Sequence, residues 1–356
     1  MSSPLQQLRD LGQSVWLDSV RRSDLRPGGE LSRLVAAGEL DGAVVAAGPL
    51  GSALADDAYA GQLAELTGAP PRDSLWRLMA TDATAASDVL LPLHRRSHGE
   101  RGHVSVELDP ADAADTEETV SAALLRFREL DRPNVMVRLA ATDAGLAALT
   151  RLTAEGVHVD ATGLFDAGRY EAAADAYVAG LRRRAEVGED LRVTGVASLH
   201  VGSVDARVEA ALGDDAPRLA TAGVACARAA YETFQTRFSG PDVAQLLAAG
   251  ARLQRLAWAS TSPGAAAHRD VLYLEELAGP DTVTVVSRGA LAAFRDQAAV
   301  EDRLSGAGGE AQQQLQRLAE QGVDVAQVAT DLLAEHVASR AAAFEAAVAA
   351  VAERVS

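Results

Sequence analysis

Eight short β-like runs, alternating with stretches of helical apolar spacing, predict a parallel (β/α)8 barrel for this chain of 356 residues. The 48% hydrophobic content is enough for a large core. No Ser/Gly/Pro-rich tract divides the chain, so residues 1–356 read as one domain with extra helices at both termini. The strand candidates are 14–17, 42–47, 103–108, 134–139, 157–161, 193–201, 256–260 and 282–286. Helical spacing covers 116–130, 143–154, 167–185 and 218–238. Asp115 stands before a first turn holding Glu117 and Glu118, and Asp143 opens the next helix. The run 306–309 reads as a loop, and 325–355, rich in Ala and Val, as a core-packing helix.

All 33 basic residues are arginine; the sequence contains no lysine. A guanidinium stays protonated and delocalised, so it cannot add to a carbonyl as an amine does, and a side-chain Schiff base is not expected. A formal charge of −17 argues against nucleic acid and anionic membranes as partners. The single Cys226 cannot form an internal disulfide, and no secretory or transmembrane-length apolar run is present, which points to the cytoplasm. Aromatic content of 4% offers no stacking platform for bases or sugars.

Several strings resemble the transaldolase family, in particular its high-GC bacterial branch. "LRDLGQSVWLDSVRRSDLRPGGELSRLV" is similar to that family's first strand and helix, and "HVSVELDPADAADTEETV" to its third strand and helix. "DRPNVMVRLAATDAGLAAL" is similar to strand four, "VASLHVGSVD" to strand six, and "RLAWAST" with "DVLYLEELAGPDTV" to strand seven and the approach to strand eight. The resemblance implies a Schiff-base lysine at the place of Arg138, and a Thr-Thr-Asn-Pro motif where Val44, Val45, Ala46 and Ala47 stand. It also implies an asparagine at Asp160, a phosphate-gripping arginine at Ser203, a hydrophobic residue at His200, and a basic residue near 264–267. Asp18 and Glu107 match the family's proton-transfer carboxylates, and Thr162 and Ser198 are retained. The family's C-terminal helix folds over the barrel mouth, with Phe344 and Arg340 near its mouth-facing positions.

Alternation on a strand sends residues i and i+2 to one face. Met136, Arg138 and Ala140 therefore share a face, as do His158, Asp160 and Thr162, and Ser198 and His200. Residues near strand C-termini face the mouth, where active sites of this fold lie. The candidate catalytic residues are Asp18, Glu107 and His200, and the candidate substrate contacts are Arg138, Asp160, Thr162 and Ser198. Three readings follow. The first is an enzyme that has left Schiff-base transaldolase chemistry for acid–base work on a non-phosphorylated carbonyl or carboxylate small molecule, with no cofactor. The second is a silent homologue that binds a metabolite, a protein partner or a second copy. The third is a metal-dependent aldolase or lyase with His200, Asp160, His158 and a carboxylate as ligands. Arg138 would repel a cation there, so no metal ligand is assigned. His94, His98 and His103, beside Arg95, Arg96 and Arg101, lack ligand spacing and read as a solvated loop.

Overall fold

The computed structural model describes residues 3–213, 222–262 and 271–356, apart from the side chains at 112 and 297. Eight parallel strands close into a barrel in sequence order. They are β1 (Ser14–Leu17), β2 (Gly42–Val45), β3 (His103–Glu107), β4 (Val135–Ala140), β5 (Val159–Leu164), β6 (Gly195–His200), β7 (Gln254–Ala259) and β8 (Thr282–Val286). The expected fold is the observed one, with Pro4–Leu11 before the barrel and Gly308–Glu320 and Val325–Val355 after it. No described helix is long and apolar enough to cross a membrane.

Helix starts follow the capping chemistry. The Asp115 carboxylate accepts from the backbone N–H groups of Glu117 (2.7 Å) and Glu118 (3.0 Å) and opens Thr116–Leu130. The helix Asp143–Ala154 is capped one residue earlier than its sequence suggests, by the Thr142 hydroxyl accepting from Gly145 N–H at 3.0 Å. Gly308 and Gly309 belong to the first turn of a helix, not to a loop. The segment expected from 218 begins within the described residues at Ala222 and ends at Phe238.

The pleat sorts each strand into two faces. Val15, Leu17, Val104, Val106, Val137, Leu139, Leu199 and Trp258 face outward and pack under the helical layer. Trp16, Val44, Met136, Val196, Ala257, Val283 and Val285 fill the barrel interior. Trp16 sets the packing at the start of β2, because a Cβ on Gly42 would lie 2.2 Å from its indole ring. Interleaved with these apolar residues is a polar inward set: Ser105 and Glu107 on β3, Arg138 on β4, Asp160 and Thr162 on β5, and Ser198 on β6.

The barrel floor corrects two expectations. His103 is no solvated loop residue: it is fully buried, with ring centroids of His94 at 5.0 Å and His158 at 6.1 Å. His158 precedes β5 and sits at the strand's N-terminal end, away from the mouth. Its Nδ1 accepts from Thr194 N–H at 3.0 Å and its Nε2 donates to the Pro133 carbonyl at 3.2 Å. Burial, with the Arg252 charge adding, holds His158 down at about 4, so it stays the neutral tautomer that these two bonds require.

The C-terminal helix Val325–Val355 crosses the top of the barrel. Ala329, Leu332 and Leu333 pack with Phe165, Val204 and Val208, and farther along Phe344, Ala347, Val351 and Val355 join the cluster around Leu50 and Leu54. Its seat on β5 is Gly163, which has φ +81° at a register shift between Thr162 and Leu164. A Cβ there would meet His336 at 3.0 Å and Leu333 at 3.2 Å. Gly163→Ala is therefore expected to cost about 1–3 kcal/mol, from the left-handed backbone and overpacking together. Urea denaturation reads the loss, and faster hydrogen exchange across 325–343 reads the loosened seat.

Candidate active site at the barrel mouth

The C-terminal ends of the strands and the crossing helix enclose a cavity of about 270 Å³. Among its lining residues are Asp18 after β1, Glu107 on β3, Arg138 and Ala140 on β4, Thr162 on β5 and His200 on β6. Ser260 and Val285 close one side, and His336, Val337 and Arg340 of the C-terminal helix form a wall. Five of the seven candidate residues thus converge on one space.

The other two lie beneath its floor. Asp160 is 1% exposed and accepts from the Ser105 hydroxyl at 2.6 Å and the Ser198 hydroxyl at 2.8 Å. Its Oδ2 lies 3.3 Å from Arg138 Nε. That contact is a charge pairing without hydrogen-bond alignment, and Nε has no hydrogen-bond partner among the described residues. Asp160, itself held by Ser105 and Ser198, pairs with Arg138 from below, whereas no described group takes a hydrogen bond from the guanidinium. Its side chain is 11% exposed, at the bottom of the cavity.

The carboxylates differ in availability. Asp18 is exposed and carries one local bond, from the Ser19 hydroxyl at 3.0 Å. Glu107 is buried and doubly engaged: Oε2 accepts from Ala47 N–H at 2.9 Å, and Oε1 takes Arg340 Nε at 2.7 Å and Arg340 Nη2. Arg340, not Arg138, is the ion-pair partner of Glu107. The family resemblance placed Arg340 near the mouth, but local sequence carries no signal for a pairing across 233 positions.

Two histidines share the wall. His200 Nε2 lies 3.0 Å from the Thr162 hydroxyl in a hydrogen bond, and its ring centroid is 4.6 Å from that of His336. Sequence reasoning missed His336 because it belongs to a helix more than a hundred residues away from the strands it faces. Burial pushes His200 well below its ordinary range, helped by His336, Arg138 and Arg340. Burial, with Arg138 and Arg340, holds His336 at about 4. Both rings are therefore neutral near pH 7. Because His158 lies at the far end of β5, the ligand set of a metal-dependent aldolase is not assembled. Among the described residues no group of three or more His, Cys, Asp or Glu side chains is placed to hold a metal ion. The expected change at 264–267 lies outside the described residues.

Fold and interior together define an aldolase-like (β/α)8 barrel. The sequence profile of the family described as Transaldolase/Fructose-6-phosphate aldolase matches residues 15–351, and the chain belongs to that family. A transaldolase of Thermobifida fusca is 39% identical over 309 residues, covering 84% of this chain and 84% of that protein. One of Mycolicibacterium paratuberculosis is 38% identical, covering 89% and 88%, and transaldolase 1 of Streptomyces coelicolor is 37% identical, covering 98% and 93%. These relatives correct the expectation that the chain has left transaldolase chemistry for a non-phosphorylated carbonyl or carboxylate. Proteins that share most of its length carry the name of that reaction, and the silent and metal-dependent readings fall with it.

The depressed histidines give a pH signature. Unfolded histidine takes up a proton near 6.5, whereas folded His336 does so only near 4. Stability is therefore undiminished above pH 6.5 and falls as pH drops from 6.5 towards 4, by about 1.4 kcal/mol per pH unit for each such histidine. Urea unfolding at pH 7, 6 and 5 should show a shallower decline for His336→Gln than for the wild type. Parallel declines would mean that His336 titrates alike folded and unfolded.

Proposed function

We propose that this chain catalyses a transaldolase-type reaction, cleaving a ketose phosphate such as fructose 6-phosphate and passing the ketose fragment to an aldose phosphate. The observation that carries the reading at the site is Arg138. This guanidinium stands at the bottom of the mouth, steadied by Asp160, and its hydrogen-bonding capacity is not used by described protein groups. Since the sequence holds no lysine, Arg138 is the group that polarises the ketose carbonyl.

Asp18 takes the proton from the hydroxyl β to that carbonyl, being the mouth carboxylate with the fewest bonds to break. The bond between the α and β carbons then breaks. Its electron pair moves onto the carbonyl oxygen as an enediolate beside Arg138, and an aldehyde leaves. An incoming aldehyde accepts the enediolate carbon, and Asp18 returns its proton to the new alkoxide, so no outside reductant or oxidant is needed. Thr162 and the neutral His200 form a hydrogen-bonding pair along the wall that orients the sugar hydroxyls.

A coupled assay with fructose 6-phosphate and erythrose 4-phosphate tests the reading. Arg138→Ala should lower kcat by about 10²–10³-fold, the range seen when an oxyanion donor is removed. Asp18→Asn should also lower kcat, by about 10²-fold or more, with KM little changed. Wild-type turnover no higher than that of Arg138→Ala would overturn the proposal.

A further inference from the structure

We infer that Arg340, on the helix crossing the mouth, receives the phosphate of the substrate, and that its bond to Glu107 is the resting contact which this anion displaces. The inference rests on the transaldolase-type reading of the same mouth. Among the described residues lining the cavity, only Arg138 and Arg340 carry a permanent positive charge. They occupy different depths. Arg138 is 11% exposed and set against Asp160, where a reacting carbonyl reaches it, whereas the Arg340 side chain is 31% exposed at the helix wall. A ketose phosphate has its carbonyl and its phosphate at opposite ends, so two cations at two depths match one extended ligand. His200 and His336 do not compete for the anion, because burial and the two arginines keep them uncharged near neutral pH.

Arg340 is also arranged for exchange. Its Nε and Nη2 both bind a single oxygen of Glu107, while the other oxygen is held independently by Ala47 N–H. No described residue bonds Nη1, which leaves part of the fork open to an incoming oxyanion. When the guanidinium turns to phosphate, Glu107 keeps its place through Ala47 and presents a released oxygen to the cavity. Phosphate binding thereby frees a further mouth carboxylate for proton transfer, beside Asp18 and unlike Asp109, which stays paired with Arg72. Ser203, which stands where the family resemblance implies an arginine, leaves this task to a residue from another part of the chain.

Isothermal calorimetry with fructose 6-phosphate, and with fructose as the uncharged control, tests the assignment in the full-length protein. Arg340→Gln should weaken fructose 6-phosphate binding by about tenfold or more, the size of one charge-assisted hydrogen bond, and change fructose binding less than about twofold. Arg340→Lys should fall between it and the wild type. Glu107→Gln removes the competing carboxylate and should tighten fructose 6-phosphate binding by about three- to tenfold while lowering turnover. That opposite sign is not expected of a pair that merely fastens the helix. Unchanged phosphate affinity in Arg340→Gln, or weaker affinity in Glu107→Gln, would overturn the assignment. Arg340-dependent binding without turnover in the wild type would reject the reaction and leave the anion site standing. Normal turnover with unchanged KM in Arg340→Gln would do the reverse.

Discussion

A carboxylate buried inside the barrel organises everything above it. Asp160 is almost wholly excluded from water, and an isolated charge in such a place would cost several kcal/mol. Two serine hydroxyls, from β3 and β6, and one guanidinium from β4 compensate it. Each of the four groups lies on a different strand, β3 to β6, so the network forms only when those strands are in register. The same arrangement sets Nε of Arg138 against Asp160 while the side chain lines the cavity above. A feature that looks like a stability liability is what sets a guanidinium at the floor of the cavity.

Above that floor the mouth separates its charges by role. Asp18 is open to solvent, Glu107 is held by Ala47 and Arg340, and the two histidines are kept neutral by burial beside two arginines. Neutral imidazoles can accept or donate a hydrogen bond without placing a third positive charge in the cavity. The chain belongs to the transaldolase family, and under the reaction proposed above these groups share one purpose, the making and breaking of a bond next to a carbonyl.

The barrel was legible in the sequence because its signals are local: eight β-like runs, and helices opened by Asp115 and near Asp143. The residues set on strand ends, Asp18, Glu107, Arg138, Thr162 and His200, were legible for the same reason, since alternation fixes which face they take. Depth was harder. Period-two reasoning puts His158, Asp160 and Thr162 on one face but does not say that the strand begins at Val159, which leaves His158 on the floor and Thr162 at the cavity. Pairings across the fold, such as Arg340 with Glu107, depend on where one helix comes to rest, and no short-range pattern encodes that. The missing lysine suggested an abandoned reaction, which the named relatives correct. A single absent side chain speaks to how a step is performed more than to which reaction the protein belongs.

The helix that crosses the mouth is fixed by apolar packing on both sides of the cavity, through Leu332 and Leu333 on one and Phe344 and Ala347 on the other. Between these anchors lie His336, Val337 and Arg340. Such a helix behaves as a beam supported at both ends, not as a flap on a hinge. Swinging it aside would expose two hydrophobic clusters at once. Among the described residues, the mouth can then open by rotation of single side chains such as Arg340, once its bonds to Glu107 are released. Rotamer changes of exposed residues take place in picoseconds to nanoseconds, far faster than domain closure. The mouth can thus change shape, among the described residues, without any movement of this helix, and such a change has to overcome the hold of one charge on another across the gap.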